Sequence, residues 1–368
     1  MKKRTFTLII FLLTCIPIYC QLSKQEEKKL DSLMQISKIP GVSLSIIKNN
    51  KLVYNKGFGI SGGSKKVTEK TIFQAASLSK FPTALLFLIN NQNQQFDIDN
   101  EINLYLKTNK LEGLKSDPST IPTISQLLSH TGGINMSGFL GYKPDKKRIP
   151  TIENVIEGKH TFIWEPKIKI KNEVNSENKY SGGGYCYLQK AIKDTKGEPF
   201  RTVIQKELLQ PLNMQNSFYS LTPNNRNDVA YGYSKKGKPI KLGYKVYPQE
   251  AAAALWTTSF DYSQLLLEVM AGLNDNRPSI LTKESIKLLT TPTNTTNGKL
   301  NLYGLGVGLQ VDENGKVKGI GHSGANIGYS SFFYLDINDG SGYVLLTNRN
   351  FADLSEIKSL LRKNIFGK

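Results

Sequence analysis

Residues 302–348, LYGLGVGLQVDENGKVKGIGHSGANIGYSSFFYLDINDGSGYVLLTN, read as strand after strand. YGLGVGLQV (303–311) is the first. A turn follows at Asn314-Gly315, then VKGIGH (317–322) and YSSFFYLDI (329–337). A second turn sits at Asp339-Gly340 before YVLLTN (343–348). Asn-Gly and Asp-Gly between β-rich runs are hairpin signals. The other end of the chain gives the same pattern. Gly41–Ser61 alternates through Val42, Leu44 and Ile46, turns at Asn49-Asn50, and resumes with Leu52-Val53-Tyr54 and Phe58. Between these ends the pattern is helical. Gln21–Ser37 is amphipathic, Ala75 to about Ser220 alternates helical stretches with loops, Glu250–Gly272 is a helix region, and Leu354–Phe366 closes the chain. Three Thr/Asn-rich stretches, around 90–100, 172–178 and 290–297, read as surface loops. Strands at both ends and helices between predict an α/β (α+β) fold. Its mostly antiparallel sheet is built from both termini and flanked by helices. The expected domain is 21–368, with a sheet lobe (21–75 and 250–368) and a mainly helical lobe (76–249).

Composition bounds the function. The chain has 368 residues, 39% hydrophobic, 10% aromatic and 21% charged, which is globular rather than fibrous or disordered. Lys2, Lys3 and Arg4 precede an apolar stretch, Thr5–Tyr19, in the pattern of an export signal. The expected signal peptide is 1–20, cut after Cys20. Neither Cys15 nor Cys20 follows the small residues that a lipoprotein signal needs. The product is expected to be periplasmic or secreted, with no transmembrane segment. Cys186 would then be the single cysteine, leaving no intrachain disulfide. His130, His160 and His322 lie far apart without HExxH or CxxC, so no metal is expected. The formal charge of +18, of which the leader supplies +3, comes from scattered lysines. It suits a basic surface attracted to anionic polymers. No nucleic-acid partner is expected.

The candidate nucleophile is a serine. Gly59-Ile60-Ser61-Gly62-Gly63 and Gly321-His322-Ser323-Gly324-Ala325 approximate G-x-S-x-G, but neither has a strand before and a helix straight after. Ser-x-x-Lys occurs four times: Ser45–Lys48, Ser77–Lys80, Ser176–Lys179 and Ser355–Lys358. At a helix start this spacing puts hydroxyl and ammonium on one face, one turn apart. A lysine kept neutral by desolvation or a neighbouring cation can take the hydroxyl proton, and the helix N-terminus favours a developing oxyanion. Ser45 lies in an alternating strand, Ser176 in a polar loop and Ser355 in the terminal amphipathic helix. Ser77 alone opens a long apolar helix, SLSKFPTALLFLIN, with Pro82 tolerable in its first turn. His130 reads as a structural residue at a helix end followed by glycines, and Trp256 as wall or core.

Six segments in order then resemble landmarks of the serine β-lactamase and penicillin-binding protein superfamily. They are FQAASLSK (73–80), ISQLLSHTGGI (124–134), KYSGGGY (179–185), PLNMQNSF (211–218), AAAALWTTSFD (251–261) and GHSGANIGYSS (321–331). The segment at 124–134 is of class C type. The resemblance covers nearly the whole exported chain and implies roles. Ser77 would be acylated, Lys80 would be its proton partner, and Tyr180 would shuttle protons to the leaving group. The backbone N–H groups of Ser77 and Ala325 would form the oxyanion hole, and His322, Ser323 and Gly324 would line the substrate. No organic cofactor is implied. Two departures stand out. Tyr180-Ser181-Gly182 lacks the asparagine of the second motif, so amide recognition is weaker or comes from elsewhere. His322 stands where penicillin-destroying members carry lysine, and a free imidazole is only about a quarter protonated at pH 7. The His form resembles D,D-carboxypeptidases, D-amino-acid peptidases and esterases of the superfamily. The expectation is an exported serine hydrolase acting on a D-amino-acid peptide or small ester, with peptidoglycan fragments among the candidate substrates. A true β-lactamase and a slowly deacylating penicillin or muropeptide sensor are the alternatives.

Overall fold

Ser23 opens the first helix, α1 (Lys24–Ile36). Its hydroxyl accepts from the Glu26 amide at 3.3 Å, and the Glu26 carboxylate accepts from the Ser23 amide at 2.8 Å. Two otherwise orphaned N–H groups are satisfied this way. The computed structural model describes residues 22–161, 165–223, 227–274, 277–294 and 300–367. The expected signal peptide, 1–20, lies outside the described residues, as does part of the 290–297 stretch.

The N-terminal hairpin pairs β1 (Gly41–Lys48) with β2 (Lys51–Gly62), and a short β3 (Lys65–Lys66) extends it. Asn49 and Asn50 take φ of 49° and 62°, the left-handed pair that a tight two-residue hairpin turn requires. The middle of the chain carries β4 (Phe73–Gln74), α2 (Lys80–Gln92), α3 (Ile124–Leu128), α4 (Ile152–Glu157), α5 (Gly182–Lys196), α6 (Phe200–Ile204) and β5 (Phe218–Tyr219). It continues through α7 (Glu250–Ala253), β6 (Leu255–Thr257), α8 (Ser259–Gly272), α9 (Lys283–Thr290), β7 (Thr293–Asn294) and β8 (Leu300–Asn301). The chain ends with β9 (Gly308–Val311), β10 (Val317–Asn326), β11 (Tyr329–Asp336), β12 (Ser341–Thr347) and α10 (Ser355–Phe366).

Both ends of the chain meet in one seven-stranded antiparallel sheet of order β3-β2-β1-β12-β11-β10-β9. The two termini join where β1 pairs with β12, Leu44 opposite Leu345. On one face α1 and α10 bury Leu30, Met34, Ile357 and Leu361 against Val42, Leu44 and Leu345. On the other face α2 and α8 pack onto the sheet. Phe81 stacks on Phe333 at 5.2 Å, and Tyr262 closes on the same ring at 5.4 Å. This second face belongs to the large core that continues into α3, α4 and α5. No described helix is long and apolar enough to cross a membrane.

Four expectations change. Residues 303–311 form a strand only from Gly308. Tyr303–Val307 instead folds against α2, with Gly306 so close that a Cβ there would meet the Lys80 carbonyl and the Ala84 methyl at 2.8 Å. The Glu250–Gly272 helix is interrupted by β6, which pairs with both β4 and β5. The 90–100 stretch is not all loop. Helix α2 runs to Gln92, and the buried Asn90 side chain donates to the Glu207 carboxylate at 2.7 Å. Finally, α2 starts at Lys80 rather than Ser77, because Ala76–Ser79 is a tighter 3₁₀ turn.

Candidate active site

Ala76 takes a left-handed φ of 51° although it is not glycine and is fully buried. Such a backbone costs on the order of 1–3 kcal/mol and persists only where its surroundings enforce it. Here they do. The Ala75 amide donates to the Leu255 carbonyl at 2.9 Å, and the Ala75 carbonyl accepts from the Ser331 hydroxyl at 2.7 Å. The strained turn leaves Ser77 partly exposed while Ala76, Leu78, Ser79 and Lys80 are buried. Ser79, two residues on, is tied up within the protein. Its hydroxyl donates to the Ala76 carbonyl at 2.6 Å and accepts from the Leu255 amide at 3.0 Å. The turn therefore presents Ser77 and uses Ser79 as a rivet.

Lys80 Nζ donates to Ser77 Oγ at 3.4 Å and to the Ala252 carbonyl at 2.8 Å. It lies 5.0 Å from the centre of the Tyr180 ring and 5.2 Å from that of Tyr185. Ser77, Lys80 and Tyr180, 100 residues apart in sequence, thus share one site. Tyr180 directly precedes Ser181, the N-cap of α5, whose hydroxyl accepts from the Gly184 amide at 3.1 Å. His130 brackets Tyr180 from both sides. Its carbonyl accepts from the Lys179 amide at 2.9 Å, its Nδ1 accepts from the Ser181 amide at 3.1 Å, and its ring lies 4.3 Å from that of Tyr180. His130 itself is left-handed (φ 62°) and buried, so it supports Tyr180 rather than simply capping a helix end. Burial, and secondarily Lys80 and His322, hold its pKa well below the usual imidazole value.

His322 lies on β10 facing the same cluster. Its Nδ1 meets the Ser323 carbonyl at 2.6 Å and its Nε2 meets the Tyr303 hydroxyl at 2.7 Å. A carbonyl only accepts, so Nδ1 carries the proton and Nε2 accepts from Tyr303. Burial keeps the Tyr303 hydroxyl protonated by pushing its pKa far up. Burial, aided by Lys80, pushes the His322 pKa down to about 3. The expectation of a partly protonated imidazole near pH 7 is therefore corrected: this ring is neutral, and both nitrogens are engaged inside the protein. Tyr303, the residue that locks it, was not singled out from the sequence.

Residues 323–326 complete the wall. Burial alternates along β10, with His322, Gly324 and Asn326 buried and Ser323 and Ala325 exposed. A Cβ on Gly324 would stand 2.6 Å from the Ala75 carbonyl and 3.1 Å from the Ser77 amide, so glycine lets strand and turn touch. Asn326 and Tyr329 close a two-residue turn as a ladder pair, so alternation aims the Ala325 amide away from β11. Strand β9 pairs with β10 only between Val317 and Gly321, leaving the edge beyond His322 open. A cleft of about 960 Å³ runs along this edge from Ser77 past Tyr180, Tyr303 and His322 to the start of α10.

Of the other Ser-x-x-Lys serines, Ser45 and Ser176 lie away from the cleft, and Ser355 lies with Lys358 at its far end. Ser45 is buried in β1 against Ser259, Ser176 bonds the Glu173 carbonyl, and Ser355 bonds Asp353. Ser61 lies in β2. Trp256 is buried in β6 among Phe218, Tyr244 and Tyr329. Among the described residues no cluster of His, Cys, Asp and Glu could hold a metal ion.

A sheet joined to a helical lobe, with serine, lysine and tyrosine gathered where they meet, defines a class of serine hydrolases. The sequence model of the family described as Beta-lactamase matches residues 27–363, and the chain belongs to that family. It is 26% identical over 332 residues to Protein flp of Staphylococcus aureus, covering 89% of this chain but only 63% of that protein. The octameric penicillin-binding protein homologue from Pyrococcus abyssi superposes with a TM-score of 0.75 at 24% identity, over 94% of this chain and 77% of that one. EstCE1, a hydrolase with promiscuous acyltransferase activity, superposes with a TM-score of 0.73 at 19% identity, over 94% and 99%. At these identities the structural likeness speaks for the fold.

Proposed function

We propose that this protein is an exported serine hydrolase that cleaves an ester or amide through an acyl-enzyme on Ser77. The observation that carries the reading is the contact of buried Lys80 with the partly exposed Ser77 hydroxyl, beneath the Tyr180 ring and beside an open strand edge. Ser77 Oγ attacks the carbonyl carbon and its proton passes to the Lys80–Tyr180 pair. The oxyanion is met by the amides of Ser77 and Ala325, prepositioned by the Gly324 contact. The carbon–leaving-group bond then breaks, and Tyr180 gives the proton to the departing oxygen or nitrogen. Water next attacks the acyl-enzyme, losing a proton to the same pair, and the acid leaves as Ser77 is restored. The substrate lies along residues 322–325, where the His322 ring acts as a neutral wall and the strand backbone makes the polar contacts. A small ester or a D-amino-acid peptide, peptidoglycan fragments included, is the substrate class this favours.

The test is to incubate the purified protein with fluorescent penicillin, nitrocefin, a p-nitrophenyl ester and D-Ala-D-Ala peptides, following adduct and turnover together. Turnover of ester or peptide, lost in Ser77→Ala, supports the reading. Rapid nitrocefin turnover would make the protein a β-lactamase, and a stable penicillin adduct without turnover of any substrate would make it a sensor.

A further inference from the structure

Ser77 stands between two chambers. The larger is the cleft described above. The smaller, about 360 Å³, lies on the α7 side and shares only Ser77, Ser137, Gly138, Ala325 and Phe351 with it. If Tyr180 protonates the leaving group, the leaving group lies in the chamber that Tyr180 lines. Tyr180 lines the larger one only. The acyl side chain is left with the smaller.

The smaller chamber is mainly apolar. Phe139, Leu140, Gly182, Ala252, Ala253 and Phe351 make up half of its twelve lining residues, Ser77, Lys80, Ser137 and Asn326 supply its polar side chains, and no Asp or Glu lines it. Its inner carbonyls and the amide hydrogens of Asn326 are already bonded. The Ala252 carbonyl accepts from Lys80 at 2.8 Å and the Ala253 carbonyl from Asn326 at 3.0 Å, while the other Asn326 amide hydrogen goes to Gln74 at 2.9 Å. Gly182 holds the place where the family resemblance leads one to expect an amide side chain. A Cβ there would stand 3.0 Å from Phe139 Cε2 and 3.3 Å from the Ser137 carbonyl. The Phe139 ring therefore occupies the space such a side chain would need.

Resting on the acyl-enzyme reading above, we infer that this chamber is an apolar acyl pocket with Phe139 as its specificity-determining residue. Its occupant is a short hydrocarbon acyl chain rather than an acylamino or aminoacyl group, which narrows the class proposed above to the ester and away from the D-amino-acid peptide. A buried methylene contributes about 0.8 kcal/mol, or about fourfold in kcat/KM. An acylamino group would lose its water and find the inner carbonyls and the Asn326 amide hydrogens already bonded, and a free ammonium would meet Lys80 and no carboxylate.

The experiment uses p-nitrophenyl acetate, butanoate, hexanoate and N-acetyl-D-alaninate, which share one leaving group. Each kcat/KM is divided by the ester's own hydroxide rate. The expected series rises about tenfold from acetate to butanoate and again to hexanoate, with the N-acetyl-D-alaninate at least tenfold below hexanoate. In the double variant Phe139→Ala/Gly182→Asn, the hexanoate-to-acylamino ratio should fall at least tenfold, while Phe139→Leu keeps the wild-type order. A flat or falling series, or an acylamino ester faster than hexanoate, overturns the inference, and the wild-type protein alone suffices for that. The two layers separate cleanly. Hydrolysis that survives in Ser77→Ala breaks the acyl-enzyme reading, whereas a flat series that still requires Ser77 breaks only the acyl pocket.

Discussion

The two sides of Ser77 dispose of their polar groups in different ways. On the β10 side the polar groups are many, and they are locked to one another: His322 to Tyr303 and to its own strand, His130 to the backbone on both sides of Tyr180. On the α7 side hydrocarbon lines the wall, and the carbonyls behind it are already bonded. One side is rich in hydrogen bonds and the other poor, and Lys80 is the fixed charge nearest Ser77, while Asp353 and Lys358 stand at the far end of the larger cleft. Around Ser77, a site built this way selects by shape.

The largest effect should come from the proton path that both sides flank. Lys80→Ala and Tyr180→Phe should each lower kcat by about 10²–10⁴-fold while the fold survives. The double variant should lose far less than the product of the two, because groups that share one proton act as a unit. Multiplying effects, seen in steady-state kinetics, would mean that the two residues work on separate protons.

The locked histidines also make a stability prediction. Both are held below the unfolded value of about 6.5 by burial, so the unfolded chain binds protons that the folded chain refuses. Stability therefore rises with pH in this window and falls on acidification below about 6.5, by about 1.4 kcal/mol per pH unit for each histidine. Urea unfolding at pH 7 and pH 5 checks it: the acid-induced loss should shrink by about 2 kcal/mol in His322→Gln. An unchanged loss would mean that His322 titrates freely in the folded protein.

A more local change isolates the lock itself. Tyr303→Phe leaves His322 Nε2 buried without its donor, which costs about 1–3 kcal/mol of stability. In the unmodified protein, lowering the pH from 8 to 6 should leave the rate ratio of a carboxylate-bearing ester to its neutral counterpart unchanged. A ratio that moves toward the anionic ester on acidification would show a charge-reading imidazole, and the contrast between the two sides would collapse.

How much of this was legible in the sequence follows from range. The Asn49-Asn50 turn and the apolar run after Lys80 are local signals, and each predicts its element. Ser77 stood out from three decoys because its surroundings in sequence are its surroundings in space. Tyr303 did not. Its nineteen-residue separation from His322 is bridged by a loop that the alternation in YGLGVGLQV disguises as strand. Glycine at 304, 306 and 308 was the available clue, since alternate glycines weaken a strand and permit close packing on another element. The strain at Ala76 had no signal at all, because alanine is an ordinary residue held there by Leu255 and Ser331 from elsewhere in the chain. Phe139 behind Gly182 was equally hidden, for the missing asparagine showed that something had changed but not what fills the space.

The most direct test of the account is where the acyl group goes. The protein should be mixed with a slowly deacylating ester or penicillin, quenched in acid, digested and sequenced by tandem mass spectrometry. A single adduct on Ser77 is expected, absent from Ser77→Ala, with Ser79 in the same peptide unlabelled. An adduct on Ser79, Ser61 or Ser323, or labelling that persists in Ser77→Ala, would contradict it.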